Sequence, residues 1–282
     1  IAFRTLMSSF MSPITTLMQI GSQYQEMKAD IDRLNDVLNY AQDPVFQQEL
    51  PEDAIYRDEY HKKLDGTIDI ENISFGYSPL EAPLIDGFSL HMKPGDRVAL
   101  VGGSGSSKST ISKILSGIYE PWSGTIKFDG MERKDVPRTV LTNSLSVVDQ
   151  EISMFADTIM NNITLWDETA PEDLVLGAVQ DADIYDAIID KPGGFLYKLS
   201  EGGRNMSGGQ RQRIRSARAL LNKPSILIMD EATSALDPST EKRIADRIKE
   251  KGITTVIVAH RLSTIRDCDE IIVLSRGKVV QR

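Results

Sequence analysis

The chain has 282 residues, 40% hydrophobic and 26% charged, enough to bury a sizeable core and carry one large domain with an appendage. These proportions exclude a disordered chain, and a formal net charge of −9 disfavours nucleic acid as the main partner. A single cysteine, Cys268, excludes a disulfide framework and fits a reducing compartment.

In chain order, the first stretch, Ile1 to Ile20, is the best candidate for a membrane span, yet Arg4, Pro13 and several hydroxyl residues interrupt it. With no initial Met and no signal-peptide layout, the chain reads as a fragment of something longer. Tyr24, Met27, Ile31, Leu34 and Leu38 recur three and four residues apart and draw one apolar stripe along a helix. Such a stripe packs on a partner or on the helix's own domain, and the residues leave both readings open. From Gln47 to Lys63, with Pro51 and mixed charges, the pattern is that of a linker, and the main domain starts near Leu64.

Alternation then predicts antiparallel strands, with Ile68, Ile70 and Ile73 in one and Phe88, Leu90 and Met92 in another. Tyr77, just after the first, serves either the core or a base-stacking site. The apolar run Val98 to Val101 leads into Gly102-Gly103-Ser104-Gly105-Ser106-Ser107-Lys108-Ser109-Thr110, after which Ile111, Ile114 and Leu115 open a helix. Strand, glycine-rich loop and helix make a phosphate cradle: backbone N–H groups turn inward, the helix start adds partial positive charge, Lys108 adds a full one, and the Ser109 hydroxyl can ligate Mg²⁺. The expected guest is a nucleoside triphosphate. Ser107 stands where this motif has glycine, so its CH₂OH enters the closest backbone approach to a phosphate and weakened binding is expected.

Three later apolar runs also end in polar groups: Leu145 to Val148 in Asp149-Gln150, Ile226 to Met229 in Asp230-Glu231, and Thr255 to Ala259 in His260. In a parallel sheet such strand ends converge on one ligand. Asp230 suits the Mg²⁺ shell, Glu231 can polarise an attacking water, Gln150 can bridge metal and water, and His260 can hold the γ-phosphate. Between these runs, Glu151 to Leu199 reads as a mainly helical insertion. Ser207-Gly208-Gly209-Gln210 then opens a helix with inner face Ile214, Ala217 and Leu221, ended by Asn222-Lys223-Pro224. Its first N–H groups form a second anion site or a plain cap. A chain carrying both halves of a clamp is expected to dimerise head to tail.

Taken together, these residues resemble the nucleotide-binding domain of an ATP-binding cassette (ABC) transporter of the exporter type. Gly102 to Thr110 matches Walker A, Gln150 the Q-loop, Ser207 to Gln210 the signature, Ile226 to Glu231 Walker B, Ser234-Ala235-Leu236-Asp237 the D-loop, and His260 the switch histidine. The resemblance implies an α/β fold with a P-loop NTPase core, whose mainly parallel sheet is flanked by helices. It adds an antiparallel β subdomain and an α-helical subdomain over about 151–215. It assigns 63–282 to this domain and 1–62 to the end of the last transmembrane-domain helix and a linker.

The same resemblance implies that Tyr77 stacks on adenine, that Glu231 is the general base, and that Ser109, Gln150 and Asp230 hold Mg²⁺. Ser207, Gly208, Gly209, Gln210 and Asp237 would serve nucleotide binding, the signature serine and glycines touching ATP on the opposite subunit. The implied partners are a second copy, the transmembrane domain of the same transporter and a peptide cargo, as in bacterial peptide or bacteriocin exporters, at the cytoplasmic face of the membrane. Glu201-Gly202-Gly203 resembles the exporter segment that senses the membrane domain. Met206 replaces the usual leucine of the signature, a volume-conserving change. Ser107 departs from the family pattern, so a nucleotide-dependent dimerisation module with weakened or absent turnover is the alternative. A soluble cassette ATPase unlinked to transport is the second.

Overall fold

A computed structural model describes residues 2–40, 62–150, 153–259 and 261–282, with the Leu262 side chain left aside. The expected linker from Gln47 falls almost wholly outside these residues, and so do Glu151 and His260. The chain divides into two compact units, 1–49 and 50–282.

The first unit is one helix, α1 (Ala2–Leu38), with Pro13 inside it. The stripe of Tyr24, Met27, Ile31, Leu34 and Leu38 lies along this helix, and every one of these side chains is exposed. Among the described residues, no helix is long and apolar enough to cross a membrane.

The second unit is built on two sheets. Strands β1 (Ile68–Phe75) and β2 (Ile85–Met92) pair antiparallel, with Ile68 opposite Met92, Ile70 opposite Leu90 and Ile73 opposite Phe88, as the alternation predicts. β4 (Ser123–Phe128) and β5 (Met131–Glu132) complete a four-stranded sheet in the order β2-β1-β4-β5. The inward residues Ile68, Ile70, Ile73, Phe88, Leu90 and Met92 are all buried, which fixes the register, because a one-residue slip would turn them to solvent.

The larger sheet contains β3 (Arg97–Val101), β6 (Leu145–Val148), β7 (Ile226–Asp230), β8 (Thr254–Val258), β9 (Glu270–Ser275) and β10 (Lys278–Gln281). Its order is β10-β9-β3-β8-β7-β6, parallel except for the β9–β10 hairpin. The four apolar runs are its central and edge strands, and they are continuous rather than alternating because both faces are covered. In β7, Ile226 and Ile228 join one core with β1, β2, β3 and the helix α2 (Lys108–Leu115). Leu227 and Met229 join a second core on the other face.

That second core is helical. α3 (Arg138–Ser144) precedes β6 and belongs with the first core through Val140. After β6 come α4 (Ile159–Thr164), α5 (Glu172–Asp181), α6 (Tyr185–Ile189) and α7 (Gly208–Leu220), which pool Ile159, Ile163, Val179, Ile188, Ile214 and Ala217. The predicted helical insertion is therefore present. α8 (Pro238–Glu250) follows β7, begins with proline at its first turn, and is held to the insertion by Arg243 and Arg247 on Asp183, at 2.8 and 3.2 Å. α9 (Leu262–Ile265) lies between β8 and β9.

The carboxyl ends of the parallel strands are level. Leu100 and Asp230 both pair with Val258, and Val148 pairs with Met229, so the residues that follow β3, β6, β7 and β8 emerge along one edge. Strands β9 and β10 went unforeseen in the sequence reading, since Glu270 to Gln281 mixes charge and aliphatics without a clean period.

Candidate functional site

At that edge the glycine-rich loop closes on its own lysine. Lys108, the first residue of α2, is 5% exposed, and its Nζ donates to Gly102 O at 2.9 Å, Gly103 O at 3.0 Å and Ser106 Oγ at 3.3 Å. All three ammonium protons have acceptors. Burial holds the Lys108 pKa below the usual lysine range, while Glu231 and then Asp230 oppose that shift by attraction. Gly102 is required by close approach: a Cβ there would lie 2.3 Å from Leu274 O.

Ser107 caps α2 in the left-handed region, at φ 78°, and its hydroxyl reaches Leu84 O only at 3.5 Å. A non-glycine residue there costs about 1–2 kcal/mol. The departure from the motif is thus a strained backbone as well as an added side chain. Ser109 Oγ, one residue beyond Lys108, donates to Asp230 Oδ1 at 3.1 Å. Tyr77 is 63% exposed, packs edge-on to Phe75 and Tyr119, and its hydroxyl lies 3.0 Å from Thr110 Oγ1. An open ring is thereby moored to the loop helix, so the core reading of Tyr77 does not hold.

The acidic pair sits against this loop. Asp230 ends β7 and is 3% exposed. Burial drives its pKa up, the Ser109 hydrogen bond works against that, and the like charges of Glu231 and Asp149 add to the rise. Glu231 turns out of the strand at φ 49°, with its N–H on Val258 O at 3.0 Å. Gln150 Nε2 donates to Glu231 Oε2 at 3.0 Å. Loop, Gln150, Asp230 and Glu231 therefore form one connected group. His260, two residues past β8, lies outside the described residues.

The donor set fits a hard divalent cation. Ser109 Oγ, Asp230 Oδ1 and the Gln150 amide oxygen are all hard oxygen donors, and a neighbouring cation would offset the burial that raises the Asp230 pKa. Among the described residues no cluster of three or more His, Cys, Asp or Glu could hold a metal ion unaided. A prediction follows from the sign of the shift. Raised in the fold above its unfolded value, Asp230 binds its proton more tightly when folded, so its ionised form subtracts stability at neutral pH and ceases to as pH falls through the folded pKa. Asp230→Asn, which keeps an acceptor for Ser109, should raise the melting temperature of the metal-free chain at pH 7. Scanning calorimetry with and without Mg²⁺ checks this; an unchanged or lowered midpoint without Mg²⁺ contradicts it.

The signature residues stand apart from this group. Ser207 caps α7 by accepting from Gln210 N–H at 3.2 Å, while Gln210 Oε1 accepts from Ser207 N–H at 3.0 Å. Their partners are each other, so of the two readings the plain cap is realised within one chain. A Cβ on Gly209 would lie 3.1 Å from Ala235 O, so the start of α7 packs on its own D-loop. Asp237 caps α8, accepting from Ser239 N–H and Thr240 N–H at 3.1 and 3.0 Å and from the Ser239 hydroxyl. Those bonds hold its carboxyl far below the usual carboxylate range.

Two positioning residues escaped the sequence reading. Gln212 Nε2 donates to Glu231 O at 3.0 Å and its Oε1 accepts from Ala235 N–H at 3.0 Å, so one buried amide on α7 joins Glu231 to the Ser234–Asp237 segment. Arg261 donates to Leu236 O at 2.8 Å and Ser234 O at 2.7 Å. Neither position carries a signal in the sequence, because a glutamine and an arginine in a polar run look like solvated residues.

A family model described as ABC transporter matches residues 85–234. Among curated proteins, the chain is 36% identical over 285 positions to an ATP-dependent lipid A-core flippase of Pseudomonas fluorescens (strain Pf0-1), covering 100% of this chain and 46% of that protein. It is 37% identical over 286 positions to the alpha-hemolysin translocation ATP-binding protein HlyB of Proteus vulgaris, covering 100% and 39%. It is 38% identical over 287 positions to the exotoxin translocation ATP-binding protein PaxB of Pasteurella aerogenes, covering 100% and 38%. Among solved structures, a bacterial Atm1-family ABC exporter with ATP bound superposes with a TM-score of 0.72 at 39% identity, over 77% of this chain and 38% of that one. The chain thus spans less than half the length of these relatives.

Proposed function

We propose, since this chain belongs to the ABC transporter family as the nucleotide-binding domain of an exporter, that it binds ATP with Mg²⁺ and hydrolyses it to drive transport by a membrane domain. The observation that carries the reading is the single connected group of Lys108, Ser109, Gln150, Asp230 and Glu231 at the level ends of parallel strands. In this reading Lys108 gives up its loop carbonyls for phosphate oxygens, and the loop N–H groups wrap the β-phosphate. Ser109, Asp230 and Gln150 hold Mg²⁺, which when bound neutralises charge on the phosphates. Glu231 takes a proton from water as the water oxygen attacks the γ-phosphorus and the bond to the β-phosphate oxygen breaks, giving ADP and phosphate. His260 would fix the γ-phosphate, and Tyr77 would stack on adenine.

The signature residues belong, in this reading, to a second copy's nucleotide. Ser207 and Gln210 cap one another within the chain, which leaves the first N–H groups of α7 facing a neighbour's phosphate in a head-to-tail pair. Closing and reopening of the pair would move the attached membrane helices at the cytoplasmic face. For cargo we keep a peptide, supported by the two relatives named for translocation of alpha-hemolysin and of an exotoxin; the flippase supports a lipid with similar identity.

The alternative, a dimerising module without turnover, draws on the strained Ser107. Ser107→Gly separates the two. Relief of left-handed strain should exceed the added freedom of the unfolded chain, for a net gain of about 0.5–1 kcal/mol. Phosphate release should be measurable in the parent and rise several-fold in the glycine variant. No release from either would leave the dimerising module standing.

A further inference from the structure

Glu241 is a buried acid that the proposed reaction leaves unused. It lies in the first turn of α8, 3% exposed, on the same inner stripe as Ile244 and Ile248. Burying a carboxylate is far costlier than burying an aliphatic side chain of the same length, and the position is otherwise suited to one. What surrounds the carboxylate explains its presence. Oε1 accepts from Thr233 Oγ1 at 2.6 Å and from the Thr264 hydroxyl, and Oε2 accepts from Ser263 Oγ at 3.1 Å.

These hydroxyls come from two different segments. Thr233 is two residues beyond Glu231, in the turn that leads to the D-loop. Ser263 and Thr264 follow His260 by three and four residues in the chain. Arg261 ties the same two segments again through Ser234 O and Leu236 O. One carboxylate on a long helix thus joins the turn that follows Glu231 to the short helix α9, which begins two residues after His260 in the chain.

We infer that Glu241 is a positioning residue that couples the turn after Glu231 to α9, so that the base side and the γ-phosphate side of the site move as one. The inference rests on the hydrolytic reading for its kinetic consequence, but the coupling itself is a property of the fold. It is independent of the bond between Gln150 and Glu231, which joins the acid to a third strand end.

The test compares the full chain with Glu241→Leu and Glu241→Gln, by phosphate release and by deuterium uptake of peptides spanning 231–237, 261–265 and 102–110. Glu241→Leu should lower kcat about tenfold or more, because small misplacements of a base are costly, while KM for ATP stays within about twofold. Uptake should rise in 231–237 and 261–265 together and stay level in 102–110. Glu241→Gln retains an acceptor for Thr233 and Thr264 and an amide for the Ser263 oxygen, so it should restore most of kcat. Parent-like kcat and uptake in Glu241→Leu would overturn the proposal, as would increased uptake confined to one segment. Should Glu241→Leu fail to fold, Thr233→Val must raise uptake in 261–265 and Thr264→Val in 231–237, and purely local effects overturn it. A parent chain that releases no phosphate would defeat the hydrolytic reading alone, leaving uptake to decide the coupling.

Discussion

Replacing Glu231 by Gln is expected to lower phosphate release by about 10²–10³-fold, the range that loss of a positioned base produces, while ATP binding survives. The substitution is close to isosteric, and its oxygen still accepts from Gln150, whose amide lies 3.0 Å from the present carboxylate. Nothing in the backbone has to move, because Glu231 is held by its N–H on Val258 O and its carbonyl under Gln212 Nε2, both at 3.0 Å. That double hold maintains the φ of 49°, a conformation that costs about 1–3 kcal/mol and persists only where the surroundings impose it. Only the proton acceptor is lost. One negative charge also leaves the vicinity of Asp230, whose pKa Glu231 helps to raise, so the resting protein should be no less stable. If two copies close on two nucleotides, the variant should collect as a dimer in ATP and Mg²⁺ on a sizing column. A phosphate-release rate equal to the parent's would remove Glu231 from the role of base.

Much of this site was legible in the sequence because its chemistry is written in contiguous residues. The run from Gly102 to Thr110, apart from Ser107, follows one local pattern of strand end, glycine-rich loop and helix start, and the acids after Ile226 to Met229 follow a strand too apolar to lie anywhere but between two covered faces. The role of the Ser207 to Gln210 run was half legible. The sequence of Ser207 to Gln210 permits an anion site and a capping box equally, and only the coordinates reveal that the side chains have closed on one another.

What stayed hidden depends on tertiary placement. Gln212 and Arg261 act through backbone groups of the D-loop, contacts that no spacing rule encodes. Glu241 was available in principle: it falls three and seven residues before Ile244 and Ile248, so an acid stands on the buried stripe of an otherwise regular amphipathic helix. An ionisable residue on an inner stripe is the kind of local inconsistency that marks a functional constraint.

Lys108→Met should abolish the rise in melting temperature that ATP gives the parent, while leaving the nucleotide-free chain as stable as before or more so. The first half follows from mass action: a ligand stabilises by RT ln(1 + [L]/Kd), about 2.7 kcal/mol at a hundredfold excess over Kd, and a hundredfold weaker binder forfeits nearly all of it. Lys108 is the one full positive charge that the glycine-rich loop itself carries, held among glycines and serines at its floor. The second half follows from burial, which disfavours the ammonium and lowers its pKa, so an apolar side chain of similar length relieves a desolvation penalty. The carbonyls of Gly102 and Gly103 that lose their donor are not deeply buried and can turn to water, so few polar groups are stranded. Opposing this gain, Asp230 and Glu231 lose an attractive neighbour. Calorimetry across an ATP titration separates the two halves. An ATP-dependent shift in the variant equal to that of the parent would mean that triphosphate binds somewhere other than this loop, and the proposed function would fall with it.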